Sequence, residues 1–439
     1  MNCLKRRDVL RAGAALGAGT LALTTTTGVR AAPGDQQWAF ETGDFVSSSP
    51  TVADGTVFVG SGDNNLYAVA AATGERQWAV ETGAFVSSPT VADGTVFAGS
   101  GDNNLYAVAA ATGERQWVFE TARSVESAPT VADGTVFVGS KDGNLYAVDA
   151  ATGDQQWVFN TRRDVSSSPT VADGTVFVGS ADFDLYAVDA STGEQQWAFD
   201  TGKPVSSSPT VADGTVFVGS RDSLYAVDAA TGDQQWVFET GDFVSSPTVA
   251  EGTVFVASRD NNLYAVAAAT GERQWAFETE DQVWSSPTEA DGTVFVGSND
   301  SNLYAVDAAT GERQWAFETG DMVSSSPTVA DGTVFVGSYD NNLYAVEASS
   351  SGDEDATGTT VTGSSGADDG SPGTTVTESS GGDEDSTGTT VTEISNQDEG
   401  ESGEGSTPGF GPVSTLGATS VLVGIRMLRN RHRAGKDTN

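Results

Sequence analysis

Between residues 33 and 410 the chain has no cysteine and no histidine; Cys3 and His432 are the only examples, one near each end. This excludes disulfides, cysteine nucleophiles, Ser-His-Asp triads and His- or Cys-built zinc sites within the body. Positive charge is also scarce, with 21 Lys+Arg against 61 Asp+Glu and a net charge of -40. So acidic a surface is a poor match for nucleic-acid phosphates or acidic membranes. It suits a halophilic protein kept soluble in strong salt, where charge repulsion is screened over short distances. Helix-length apolar runs are missing from the body as well, so a helical solenoid is excluded.

What is present is one sentence written eight times. Close copies of LYAVDAATGDQQW end at Trp38, Trp78, Trp117, Trp157, Trp197, Trp236, Trp275 and Trp315, spaced by 39 or 40 residues. Each unit divides into four short runs, as in Ser48 to Val52, Thr56 to Val59, Leu66 to Val69 and Gln77 to Thr82. They are rich in Val, Phe, Tyr, Thr and Trp and are bounded by Gly, Asp and Asn, which is the signature of strands and hairpins. The middle runs are apolar on both faces and must be covered on both sides. Sheets set radially about an axis meet that demand, so the expected fold is all-β: an eight-bladed β-propeller of four-stranded antiparallel blades over residues 36–348. The first Gln-Trp run precedes the first TVF run, and the last LYAV run has no Gln-Trp run after it. The N-terminal strand is therefore expected to close the last blade and remove two open edges.

Ala68, Gly74 and Trp78, in LYAVAAATGERQW, resemble the tryptophan-docking pattern of the pyrrolo-quinoline quinone (PQQ) repeat family, and all eight units carry it. The resemblance implies that each of the eight tryptophans docks between neighbouring blades. That family includes quinoprotein dehydrogenases and non-enzymatic propellers such as lipoprotein B of the outer-membrane assembly machine. Its dehydrogenases use an aspartate base, a calcium held by carboxylates and amides, and usually a vicinal disulfide. This chain has minimal loops and no disulfide, so a non-enzymatic binding or scaffold propeller without a cofactor is the expectation. A PQQ- and calcium-dependent dehydrogenase of reduced design is the alternative, and a purely structural envelope component the second.

The two ends read as addresses. Residues 1–32, with Arg6-Arg7 ahead of a small, weakly apolar run, resemble a twin-arginine export signal. Residues 408–439 open on Pro408-Gly409-Phe410, followed by a short apolar run and a basic cluster. They are similar to the archaeal PGF sorting signal, whose family exchanges the tail for a lipid. The apolar run is short for a spanning helix, which needs about 20 residues, so the membrane is expected to be met only through a processed or lipid-modified C-terminus. Residues 349–407 hold no Lys or Arg and repeat GTTVT between acidic clusters. Such a stretch cannot bury a core and reads as a disordered stalk. The whole predicts a monomer on the outer cell surface.

Residues common to all units are read as structural, including turn aspartates such as Asp63 and Asp222, which can bond local backbone N–H groups. A localised site must break the pattern. Seven basic residues do so on one face, in the third to sixth blades: Arg123, Lys141, Arg162, Arg163, Lys203, Arg221 and Arg259. Elsewhere the matching loops carry acids, as at Asp44 and Asp321. This basic sector is a candidate dock for an acidic surface protein, an anionic glycan or a small carboxylate. Trp284 also departs from pattern, standing where other full-length units place Ser or Glu, and is expected to begin an innermost strand and stack a planar ligand. Asn299-Asp300-Ser301 is the one glycosylation sequon of the body and falls on an expected turn.

Overall fold

The computed structural model describes residues 31–348. The export and sorting residues Arg6, Arg7, Pro408, Gly409 and Phe410, and the stalk, lie outside the described residues. Thirty-two strands, β1 to β32 in chain order, form eight four-stranded antiparallel sheets. The first blade consists of β2 (Thr51–Ala53), β3 (Thr56–Gly60), β4 (Asn65–Ala70) and β5 (Arg76–Glu81). The next six repeat this order over residues 90–120, 130–160, 170–200, 210–239, 248–278 and 288–318. The eighth takes β30 (Thr328–Ala330), β31 (Thr333–Gly337) and β32 (Asn342–Glu347) from the end of the body and β1 (Gln36–Glu41) from its start. Trp38 of β1 lies opposite Ala345 of β32, as Trp78 lies opposite Ala68 within the first blade. The ring is thus closed by the N-terminal strand, as the order of runs required.

There is no single core. Residues from two successive blades make each apolar cluster: Val57, Val59, Tyr67 and Val69 of the first blade pack with Phe335, Leu343 and Ala345 of the eighth. This is why the TVFVG run is buried along its whole length rather than at alternate positions. The outer strand meets neighbours through one face only, and its burial alternates accordingly.

The tryptophans fasten one blade to the next. Trp38 Nε1 donates to the Ala71 carbonyl at 2.8 Å, Trp78 to Ala110 at 2.8 Å and Trp117 to Ala150 at 3.0 Å. Trp157, Trp197, Trp236, Trp275 and Trp315 repeat the bond to Ala190, Ala229, Ala268, Ala308 and Ala348. The next blade's loop glycine lies flat on the indole. Gly74, at φ +72°, has no room for a Cβ above Trp38.

One boundary differs from the sequence expectation. The first run of each unit yields only three strand residues, because the Ser-Ser-Pro stretch before Thr51 stays outside the ladder. Pro50 has no N–H to give to a ladder.

Candidate binding face

The loop leading into each blade and the turn between its second and third strands meet on one face. In the first blade the Gly43 N–H donates to Asp63 Oδ2 at 2.6 Å, and Gly62 N–H to the Phe45 carbonyl at 2.9 Å. Asp63 also accepts from the Asn65 N–H and from the Tyr67 hydroxyl at 2.7 Å. Burial alone would raise the Asp63 carboxyl, but these donors outweigh it and hold the group below the usual carboxylate range. Burial, together with Asp63, pushes the Tyr67 phenol up to about 12. The same tyrosine–aspartate bond recurs at Asp102, Asp142, Asp182, Asp260, Asp300 and Asp340. These carboxylates brace turns, and the donors they accept are their own neighbours.

The fifth blade breaks the rule. Its turn is one residue shorter, the ladder runs on to Ser220 opposite Ser223, and Asp222 loses its tyrosine. Tyr225 donates instead to the Thr201 carbonyl at 3.3 Å, and Asp222 pairs with Lys203.

The seven basic residues fall into two groups. Arg123 pairs with Asp164 at 3.7 Å, Lys141 with Glu126 at 2.5 Å, and Lys203 with Asp222. Among the described residues, Arg162, Arg163, Arg221 and Arg259 form no ion pair. Arg162 and Arg163 stand side by side and exposed on the loop into the fourth blade. Asn299 sits on the turn after the second strand of the seventh blade, its N–H bonded to the Gln282 carbonyl.

Two circles of hydrogen bonds surround the axis. Thr51 Oγ1 donates to the Pro89 carbonyl of the next blade at 2.6 Å, and this bond is made by all eight innermost strands, ending with Thr328 to Pro50. A second circle, of backbone N–H to serine Oγ, is incomplete. It runs from Ser49 to Ser88, from Ala128 through Ser168 and Ser208 to Ser246, and from Ser286 through Ser326 back to Ser49. Its two gaps follow Ser88, where Ala128 has no hydroxyl to accept the bond, and Ser246, where the Ser286 hydroxyl is skipped. Ser88 and Ser246 lie in the second and sixth blades, whose leading segments, FVSSPT, are one residue shorter than the FVSSSPT form.

Each gap coincides with a notch, and the two are diametrically opposed. The notch at the second blade has a volume of about 320 Å³ and is lined by Phe45, Phe85 and Glu126 among others. The notch at the sixth, about 170 Å³, is lined by Phe243, Arg259, Trp284 and serines of three successive blades.

Trp284 does not begin a strand. It precedes the innermost strand of the seventh blade, Thr288–Ala290, and stands on the leading segment with 46% of its surface exposed. It lines the notch beside the shorter leading segment of the sixth blade. The Arg259 guanidinium lies 3.6 Å from the Trp284 ring centroid and 4.5 Å from that of Phe243, with Arg221 5.5 Å from the other end of the row. Two departures from the repeat that are remote in sequence therefore form one cation–aromatic stack. Burial lowers the Arg259 guanidinium from its ordinary value, with the Asp242 charge opposing.

Two aromatic residues of this face went unnoticed in the sequence. Phe243 shares its FV dipeptide with Phe45 and Phe85, so only its neighbours set it apart. Phe183 had a signal: it replaces the Asn, Gly or Ser that other turns place at a positive φ. It holds φ 90° and remains 38% exposed, with the Arg163 guanidinium 6.0 Å from its ring.

Quinoprotein chemistry requires a metal held by clustered carboxylates. Among the described residues, no group of three or more His, Cys, Asp or Glu side chains is placed to hold a metal ion. Glu126, an acid lining the notch at the second blade, is already paired with Lys141. The side chains present do not fit PQQ with calcium, and the dehydrogenase alternative is not favoured.

Solved structures share the architecture. The computationally designed Ika8 protein aligns with a TM-score of 0.66 at 15% identity, over 72% of this chain and 100% of its own. BamB from Moraxella catarrhalis aligns with a TM-score of 0.63 at 19% identity, over 71% and 99%. A europium-containing methanol dehydrogenase aligns at 0.60 and 16%, over 70% and 86%. At these identities the likeness concerns the fold alone. No curated protein matches the chain. The family described as "Outer membrane protein assembly factor BamB" matches residues 24–128, 83–181, 118–207, 141–247, 181–290 and 282–355, overlapping stretches that cover more than half of the sequence. With eight docked tryptophans and a closed ring of eight blades, the chain belongs to this family of PQQ-like propeller proteins.

Proposed function

We propose that the protein is a non-enzymatic binding propeller of the cell envelope, whose basic sector docks a carboxylate-bearing surface protein or glycan. The observation that carries this reading is the placement of Arg162, Arg163, Arg221 and Arg259, which form no ion pair among the described residues, on one face of a chain of net charge -40. In strong salt long-range steering is screened, so recognition relies on direct guanidinium–carboxylate contacts. The family is named for an outer-membrane assembly factor, in keeping with an envelope location here. The twin-arginine-like leader, the stalk over residues 349–407 and the PGF-like tail extend the same reading to export, display and lipid anchoring. Mass spectrometry of protein isolated from producing cells tests it by locating the mature ends.

The docking reading is tested by co-sedimentation of the purified protein with isolated cell envelopes at about molar salt. Sedimentation lost in Arg162→Glu/Arg163→Glu supports it; unchanged sedimentation of that variant sinks it.

A further inference from the structure

The two notches are one backbone feature with opposite chemistry. In each, a leading segment short by one residue lies beside a gap in the serine circle, the first where Ala128 offers no hydroxyl and the second where the Ser286 hydroxyl is skipped, and the following blade places an exceptional residue beside the gap. After the second blade that residue is Glu126, and after the sixth it is Trp284. The turn residue beside the first notch is Gly101; beside the other it is Arg259. The first notch has thus spent its charge on the Glu126–Lys141 pair, while the second has not.

The Arg259 guanidinium lies over the rings of both Phe243 and Trp284, contacts that do not use up its N–H edge. Among the described residues, no hydrogen bond or ion pair uses that edge. A planar fork of donors fixed by stacking matches a carboxylate. The Trp284 indole is itself fixed, since Nε1 donates to Gln282 Oε1 at 2.8 Å, yet it stays largely open to solvent. An anchored, open indole face suits the C–H face of a small saturated ring as well as an aromatic one. The rim decides between them. The hydroxyls of Ser206 and Ser286 have no protein partner among the described residues, and Ser286 is the acceptor skipped by the serine circle. A ligand without hydroxyls would leave them unpaired, a cost that a hydroxyl-bearing ring avoids. The notch, at about 170 Å³, is also below the roughly 300–1,000 Å³ of sites for drug-sized ligands, so it admits a single ring.

We propose that the notch at the sixth blade binds one hexuronic acid unit of an acidic glycan. Arg259 takes the carboxylate, the open face of Trp284 takes the pyranose ring, and Ser206 and Ser286 take its hydroxyls. This rests on the reading of the protein as a binding propeller, and it assigns the sixth-blade end of the sector a carbohydrate.

The test is a calorimetric titration of the full chain with trigalacturonic acid at about molar salt, with galacturonic acid, neutral galactotriose and the peptide Glu-Glu-Glu alongside. Arg259→Asn and Trp284→Ser install residues that the chain already uses at the matching positions, Asn299 and Ser324, so the fold is retained. Saturable binding of trigalacturonic acid is expected, with galactotriose weaker by about tenfold or more, the scale of one charged hydrogen bond. Arg259→Asn should erase that preference, and Trp284→Ser should weaken both sugars. Binding of galacturonic acid alone marks a terminal or free unit as sufficient; a need for the trimer marks an internal one. The proposal is overturned by no saturable binding, by binding unchanged in both variants, or by tighter binding of the peptide. Arg162→Glu/Arg163→Glu should leave this titration unchanged. A failed titration with intact envelope co-sedimentation removes the notch alone, and the reverse removes the docking arc alone.

Discussion

Gly74 lies flat against the indole of Trp38, so close that a Cβ would fall 2.8 Å from Cδ2, across the joint between the eighth blade and the first. Its φ of +72° already disfavours any other residue. Gly94 has nearly the same φ, +73°, but nothing within 4 Å of a built Cβ. Gly94→Ala should therefore cost only the left-handed strain of about 1–2 kcal/mol. Gly74→Ala should cost more, because the ring must also move. Denaturant midpoints of the two variants check the order.

The tyrosine–aspartate turns contribute to both limbs of the pH profile. Asp63 and Asp102 have folded values below the unfolded value of about 3.9. Their contribution is complete above about pH 4 and is lost as pH falls through the folded values. The phenols of Tyr67, Tyr146 and Tyr264 are held up to about 12, against about 10 when unfolded. Their contribution is complete below about pH 10 and is lost as pH rises toward 12. Ultraviolet titration of the native protein should show these tyrosines ionising late, and the same titration in denaturant should show them ionising near pH 10.

Lys203 and Asp222 form an ion pair on an exposed rim. Lys203→Ala should change stability by less than about 1 kcal/mol, as exposed pairs do, and by less still in strong salt. Thermal melts at two salt concentrations measure it.

Phe183 occupies φ 90° with its ring partly in solvent. Asn stands at this turn position in four other blades, as at Asn64. Phe183→Asn should raise stability by about 1 kcal/mol through relief of strain. Weaker envelope co-sedimentation of the same variant would mark Phe183 as a contact of the binding face.

The fold was legible because its determinants repeat. Strand runs, turns and the docking Trp–Gly pair appear eight times, and the displaced Gln-Trp run announced how the ring closes. The basic sector could be located on one face by counting strands, but not its ion pairs, since Lys141–Glu126 and Arg123–Asp164 depend on side-chain reach across loops. The stack of Arg259 on Trp284 was hidden for a different reason. It needs a turn residue of one blade, a leading segment of the next, and a single residue missing from the former blade's own leading segment. That missing residue is visible in the 39-residue spacing from Trp236 to Trp275, but its effect on a neighbouring blade is not. Repetition itself concealed Phe243, which is written like Phe45 and Phe85.

The closing strand β1 reads QQWAFE, while β29, the outer strand of the seventh blade, reads RQWAFE. Little in its side chains tells β32 which molecule the strand came from. Selection of the right one rests on tethering: the strand is covalently joined to the first blade, which holds it at a high effective concentration beside its slot. At high protein density, or with the tether cut, the same slot will accept a strand from another copy, and rings will exchange their first strand.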